Sequence, residues 1–156
     1  PLMRCFWDDR QRLHAPAAEF FNGALHPAAE HPDRVDSILA AIGATEAPRD
    51  HGHGPILAAH DPAYVDLLRT AHDDWLAAGR TGDAIPYAFP VRRRPLALDR
   101  IDARLGAHSY DTCTAIGPGT WEAVYWAAQT GLSALDAVKG GEHAFALTRP
   151  PGHHAG

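Results

Sequence analysis

Cysteine is scarce in this chain: there are two in 156 residues, Cys5 and Cys113. They lie far apart and show no CxxC or Cys/His ligand spacing, which excludes a disulfide framework and leaves reduced thiols as the expectation. No uninterrupted apolar run reaches the ~18 residues that a membrane span requires. The opening PLMRCFW is short and runs at once into Asp8, Asp9 and Arg10. No secretion signal is read there, and a cytoplasmic location is expected. Basic surface is also lacking: the net charge is −5, and the one local cluster is Arg92-Arg93-Arg94 in a Pro-rich stretch. A nucleic-acid footprint needs a broad basic face, so no nucleic-acid partner is expected. Internal repeats and low-complexity tracts are absent. The first residues, Pro-Leu-Met, read as though Met3 were the natural start, and nothing polar or helix-ending follows HHAG. The expectation is a fragment.

What is present is a globular composition, 46% hydrophobic and 21% charged, enough for one domain with a core. Met3 to Trp7 is apolar and aromatic and reads as a buried strand, although so short a run also admits a helix. A loop follows, carrying Pro16, Gly23, Pro27 and Pro32. Val35, Ile38, Leu39 and Ile42 then fall at helical spacing, closed by Gly43, so Asp33 to Ile42 is predicted as a helix. Ala47 to Pro55 is predicted as a loop. Asp61-Pro62 opens a second helix with a capping side chain and a proline at the first helical position, and Gly79 ends it. From Arg80 to about Gly119, proline, glycine and arginine dominate, and a loop insertion over about 80–118 is expected. Trp121 to Val138 is predicted as a helix with apolar residues on nearly every side, hence buried between layers. HAFAL, His143 to Leu147, reads as a strand. Alternating helices and strands favour an α/β sandwich with a largely parallel sheet.

That last strand runs directly into RPPGHHAG, Arg149 to Gly156. Ligands in open α/β sheets collect outside the carboxyl ends of strands. Pro150 and Pro151 have fixed φ and no backbone N–H, while Gly152 permits close backbone approach. Two imidazoles behind such a bend offer titratable nitrogens for a general acid and base pair. The plainer reading is a pair of loop histidines without catalytic role, since HxH and HxxH are better metal spacings and neighbours on an extended segment point to opposite sides. The eleven histidines are scattered without ligand periodicity, which argues against a metal-buffering protein.

RPPGHHAG after an apolar strand resembles the signature of the zinc-dependent deacetylase superfamily, in particular its bacterial acetylpolyamine amidohydrolase branch related to class II histone deacetylases. HAP (His14 to Pro16), EHPDRVDSIL (Glu30 to Leu39), HDPAYVDLL (His60 to Leu68), FPVRR (Phe89 to Arg93) and PGTWEA (Pro118 to Ala123) occur in the order of that branch. The resemblance covers essentially the whole chain and implies a three-layer α/β sandwich of arginase/deacetylase type with a mainly parallel sheet. Residues 1–156 would be the N-terminal part of a single deacetylase-like domain. It further implies that His153 and His154 are the tandem catalytic histidines: His154 as general base toward a zinc-bound water and then general acid toward the leaving amine, His153 as the charged partner of the oxyanion. Asp111 resembles the rim aspartate that binds the substrate's amine side, against the alternative of a simple turn Asp. Tyr110 is a candidate for the tunnel mouth or a packing aromatic. The 80–118 region resembles an insertion that shapes the tunnel entrance and builds a homodimer, with Arg92 to Arg94 as interface or phosphate-facing cations or a solvated cluster.

In this family zinc is held by an Asp-x-His pair and a later Asp, and a Tyr polarises the amide carbonyl. The resemblance places all of them beyond Gly156, so no residue of this chain is assigned as a metal ligand. The implied function is the N-terminal part of a zinc-dependent amidohydrolase deacetylating acetylpolyamines or acetyl-lysine. The 156 residues alone are expected to be inactive and poorly stable, since later strands of a parallel sheet would be missing. The competing reading is a catalytically inactive, truncated relative that serves as a binding or dimerisation module.

Overall fold

The computed structural model describes residues 3–90 and 99–152. In chain order the elements are β1 (Arg4–Phe6), a 3-10 helix (Asp9–Leu13), β2 (Ala18–Phe21), β3 (Ala24–Pro27), α1 (Arg34–Ile42), α2 (Gly54–Ala59), α3 (Pro62–Ala77), α4 (Ile101–Ala107), α5 (Thr120–Lys139) and β4 (Ala144–Ala146). They form two compact units. Among the described residues, the first comprises the chain before Pro16, Glu30–Ala59 and the chain from Gly119 onward; the second comprises Pro16–Ala29 and His60–Pro118.

In the first unit β1 and β4 pair in parallel, with Arg4 opposite Ala144, Cys5 opposite Phe145 and Phe6 opposite Ala146. On the other edge of β1, the Glu46 N–H donates to the Cys5 carbonyl at 2.8 Å and the Trp7 N–H donates to the Glu46 carbonyl at 3.1 Å. Both edges of β1 are therefore occupied. Side chains of a strand alternate between faces, and the packing follows that rule. Phe6, Ala144 and Ala146 meet Ala134 and Ala137 of α5. Trp7, Phe145 and Leu147 meet Val35, Ile38, Leu39 and Ile42 of α1. The alanines of β4 and α5 let that helix lie close over Phe6, and bulky residues on the other face fill the space beneath α1. A helix on each face of a parallel pair is the expected α/β layering.

The sequence signals at the helix ends operate as anticipated. Asp61 caps α3 by accepting the Ala63 N–H, with Pro62 at the first turn. Gly43 closes α1 at φ 75°. The expectation that α5, apolar on nearly every side, is buried between layers is corrected for part of its surface: Leu135 and Val138 are 45% and 52% exposed. What the helix buries besides its alanines is polar, Gln129, Thr130 and Ser133. Burial requires a neighbour on each side, and the described residues supply one only over the sheet and along the polar stripe.

The second unit holds what the sequence reading treated as loops. Asn22 and Gly23, at φ 50° and 77°, form the tight connection of the antiparallel β2–β3 hairpin. The predicted 80–118 loop contains α4 and an antiparallel bridge in which Ala84 and Ile116 exchange N–H···O bonds of 2.9 Å. Ala84, Ile101, Leu105 and Ile116 join Leu67, Ala71 and Trp75 of α3 in one buried cluster. Arg80 lies against the rings of Trp75 and Tyr87, 4.5 and 5.3 Å from their centroids, and ion-pairs with Asp102 of α4. The physical reason for the difference is length: α4 is seven residues with a short apolar repeat, stable only through packing. In the first unit, the helix α2, begun by Gly54-Pro55, lies at the end of the stretch Ala47 to Pro55 predicted as a loop. Residues 91–98, including Arg92 to Arg94, lie outside the described residues.

α4 approaches the preceding segment so closely that a Cβ on Gly106 would sit 1.6 Å from the Ala88 carbonyl oxygen. Gly106→Ala is expected to cost about 1–3 kcal/mol. Gly131→Ala in α5, where a Cβ meets nothing within 4 Å, is expected to stabilise by roughly 0.5–1 kcal/mol. Urea denaturation of both variants checks the pair, and equal behaviour would contradict the close approach.

Candidate active-site scaffold

The bend after β4 is anchored by a buried polar network. The Arg149 backbone N–H donates to Gln11 Oε1 at 2.6 Å, and its Nη1 donates to the Gln11 carbonyl at 2.7 Å. Its Nε and Nη2 grip both carboxylate oxygens of Glu30, each at 2.8 Å. Gln11 Nε2 in turn donates to Thr130 Oγ1 at 3.2 Å and to the Leu147 carbonyl at 3.3 Å. Thr130 Oγ1 in turn donates to the Trp126 carbonyl at 2.7 Å. Gln11 and Thr130 are fully buried and Arg149 is 2% exposed. Buried polar groups are costly unless paired, and the whole Gln11 amide is used. A bidentate Arg–carboxylate pair adds orientation as well as energy.

Two pairs of the motifs singled out in the sequence meet here. Glu30 of EHPDR holds Arg149 of RPPG, and His14 of HAP contacts Thr120 of PGTWEA, Nδ1 to Oγ1, at 2.9 Å. Gly119 has Leu13 against it, its ideal Cβ only 2.4 Å from the Leu13 carbonyl oxygen. His153 and His154 themselves lie outside the described residues, which end at Gly152.

A second polar seam runs along α5. The His51 N–H donates to Gln129 Oε1 at 2.7 Å, and the Arg49 N–H donates to Ser133 Oγ at 2.9 Å. The Tyr125 hydroxyl donates to Asp50 Oδ1 at 2.5 Å. Burial, then that carboxylate, pushes the Tyr125 hydroxyl up to about 12. The same hydrogen bond, followed by the Gly52 N–H, lowers Asp50. His53 stacks on Trp121 at 6.0 Å. Arg10, bidentate on Asp8 at 2.8 and 2.6 Å, covers the Trp126 ring at 3.2 Å. These contacts seat the long helix and the segment from Arg49 to His53 against each other.

Asp111 and Tyr110 belong to the second unit. Asp111 Oδ1 accepts the Cys113 N–H at 2.9 Å and faces Thr114 Oγ1 at 3.5 Å, an Asx-type turn. Thr112 Oγ1 donates to the Phe20 carbonyl of the hairpin at 2.6 Å, which ties this loop down. Tyr110 is 55% exposed. Burial first, then the charges of Asp111 and Glu19, push the Cys113 thiol up, the opposite of an activated nucleophile.

Among the described residues no group of three or more His, Cys, Asp or Glu is placed to hold a metal ion. Sequence reasoning missed Gln11, Glu30 and Thr130; Glu30 lay inside a noted motif, whereas a glutamine in the stretch DRQRL carries no signal of burial.

The histone deacetylase domain profile matches residues 26–156. Acetylpolyamine amidohydrolase 1 of Pseudomonas aeruginosa is 42% identical, over 99% of this chain and 47% of its own length. Acetylpolyamine amidohydrolase of Mycoplana ramosa is 39% identical over 99% and 47%. The crystal structure of an acetylpolyamine aminohydrolase from Burkholderia pseudomallei superposes with a TM-score of 0.89 at 36% identity, covering 98% of this chain and 46% of that one. The chain thus spans about half the length of the curated relatives it matches. The α/β layering about β1 and β4, the meeting of the spaced motifs at Arg149 and the match over most of the sequence lead to one conclusion: the chain belongs to the histone deacetylase domain family.

Proposed function

We propose that the complete protein is a zinc-dependent amidohydrolase that removes acetyl groups from acetylpolyamines, with acetyl-lysine as the alternative acyl amine. The observation that carries this reading is the similarity, along nearly the whole chain, to proteins named acetylpolyamine amidohydrolases. The histone deacetylase family is generally metal-dependent, and zinc is part of the proposal. Of this chain's own residues, His154 takes a proton from the attacking water and returns it to the departing amine, and His153 holds charge beside the developing oxyanion. Asp111 receives the substrate's amine side. A homodimer through the 80–118 region and a cytoplasmic location belong to the same reading; the exposure of Tyr87 and Phe89 supports the former.

The test is acetate release by the purified complete protein from a mono-acetylated diamine and from an acetyl-lysine peptide. Preference for the diamine supports the reading, and no release from either with metal supplied sinks it. Asp111→Asn is expected to raise KM for the diamine about tenfold with kcat little changed, in line with the worth of a hydrogen bond to a charged group. Steady-state kinetics checks this; a fall in kcat alone would remove Asp111 from substrate binding.

A further inference from the structure

We infer that Gln11 is a positioning residue for the tandem histidines, an inference that rests on the catalytic reading of His153 and His154. β4 ends at Ala146, yet the chain keeps strand-like pairing beyond it. The Leu147 N–H donates to the Phe6 carbonyl of β1 at 3.0 Å. On the same edge, past the end of β1, Gln11 Nε2 donates to the Leu147 carbonyl at 3.3 Å while Gln11 Oε1 accepts the Arg149 N–H at 2.6 Å. A primary amide has the donor and acceptor of a peptide unit. It bonds residues two apart on one edge, as the backbone of a neighbouring strand would. The Gln11 side chain carries on the pairing of this edge where the backbone of β1 leaves off. A carboxylate in its place would lack the donor for Leu147 and Thr130, and an apolar side chain would lack both groups.

What this clamp fixes is the departure point of the bend. Arg149 is held by its backbone to Gln11 and by its guanidinium to the Gln11 carbonyl and Glu30. Pro150 and Pro151 then carry fixed φ angles, so few torsions separate the clamp from His153. A catalytic group displaced on the order of 1 Å loses about a hundredfold in rate. An apolar side chain at position 11 would leave the Leu147 carbonyl and the Arg149 N–H without this partner, at about 1–3 kcal/mol for each orphaned group, so stability falls in either case and kcat per folded molecule is what separates positioning from packing.

The experiment compares variants of the complete protein, with melting temperature, kcat and KM measured on each. Gln11→Met keeps the side-chain length and removes the amide; kcat is expected to fall about tenfold to a hundredfold with KM within about twofold. Leu67→Ala, in the core of the other unit and 1% exposed, serves as a comparison that loses stability without touching the clamp, and its kcat per folded molecule is expected to stay at the wild-type value. If Gln11→Met loses no more kcat than Leu67→Ala, Gln11 is structural only and the inference is overturned. Should Gln11→Met fail to fold, Glu30→Gln takes its place: it weakens the grip on Arg149 from a partly exposed position, and unchanged kcat there overturns the inference as well. His154→Ala separates the two layers. Retention of kcat in that variant removes the catalytic reading, whereas its loss together with wild-type kcat in Gln11→Met removes the positioning role alone.

Discussion

His154→Ala in the complete protein is expected to lower kcat by about a hundredfold to ten-thousandfold, the range in which positioned general acid–base groups contribute, while KM stays near its wild-type value. The asymmetry is the informative part. A group that moves a proton acts in the transition state, so its removal lowers kcat and kcat/KM together. A group that merely orients substrate changes KM as well. The division of proton transfer and charge stabilisation between His154 and His153 is part of the proposed function. Steady-state kinetics with an acetylated diamine measures the split. Equal losses in kcat and in substrate affinity would convert His154 into a positioning residue.

Glu30→Ala is expected to destabilise the complete protein by about 3 kcal/mol. Removing one partner of a buried ion pair typically costs about 3–5 kcal/mol because the other charge is left uncompensated. The Arg149 side chain is 3% exposed and that of Glu30 26%, so water reaches the vacated side and the lower figure applies. The Gln11 carbonyl would remain the one acceptor shown for the guanidinium. The urea midpoint should drop at unchanged m. The double variant Glu30→Ala/Arg149→Met should recover much of the loss, giving a coupling that a double-mutant cycle reads directly. A loss under about 1 kcal/mol would class the pair with solvent-exposed bridges, in contradiction to its burial.

How much was legible in the sequence depended on how local the signal was. Asp61-Pro62 states its role within two residues, because an N-cap and a proline at the first turn satisfy groups of the same turn. The helix at Arg34–Ile42 is likewise written in its own periodicity, whereas the short apolar run at Arg4–Phe6 admits strand or helix until pairing with β4 decides it. The hairpin at Ala18–Pro27 was passed over although Asn22-Gly23 announces it, since its strands expose Phe21 and Leu25 and so lack the buried alternation that marks a strand. α4 was passed over for the opposite reason: Ile101 and Leu105 are buried, but a run of seven residues carries too little periodicity to be seen.

By itself, the sequence determined the capped helices, the parallel α/β alternation and the family, through motifs that keep their order along the chain. Only the tertiary structure decided that Gln11 and Arg149, 138 positions apart, share hydrogen bonds in the interior. It likewise decided that Glu30 closes that network and that the faces of α5 bearing Leu135 and Val138 stay exposed. The reason is physical: caps and turns are satisfied by groups a few residues away, whereas a buried amide takes its partners from whichever strand end the packing brings beside it.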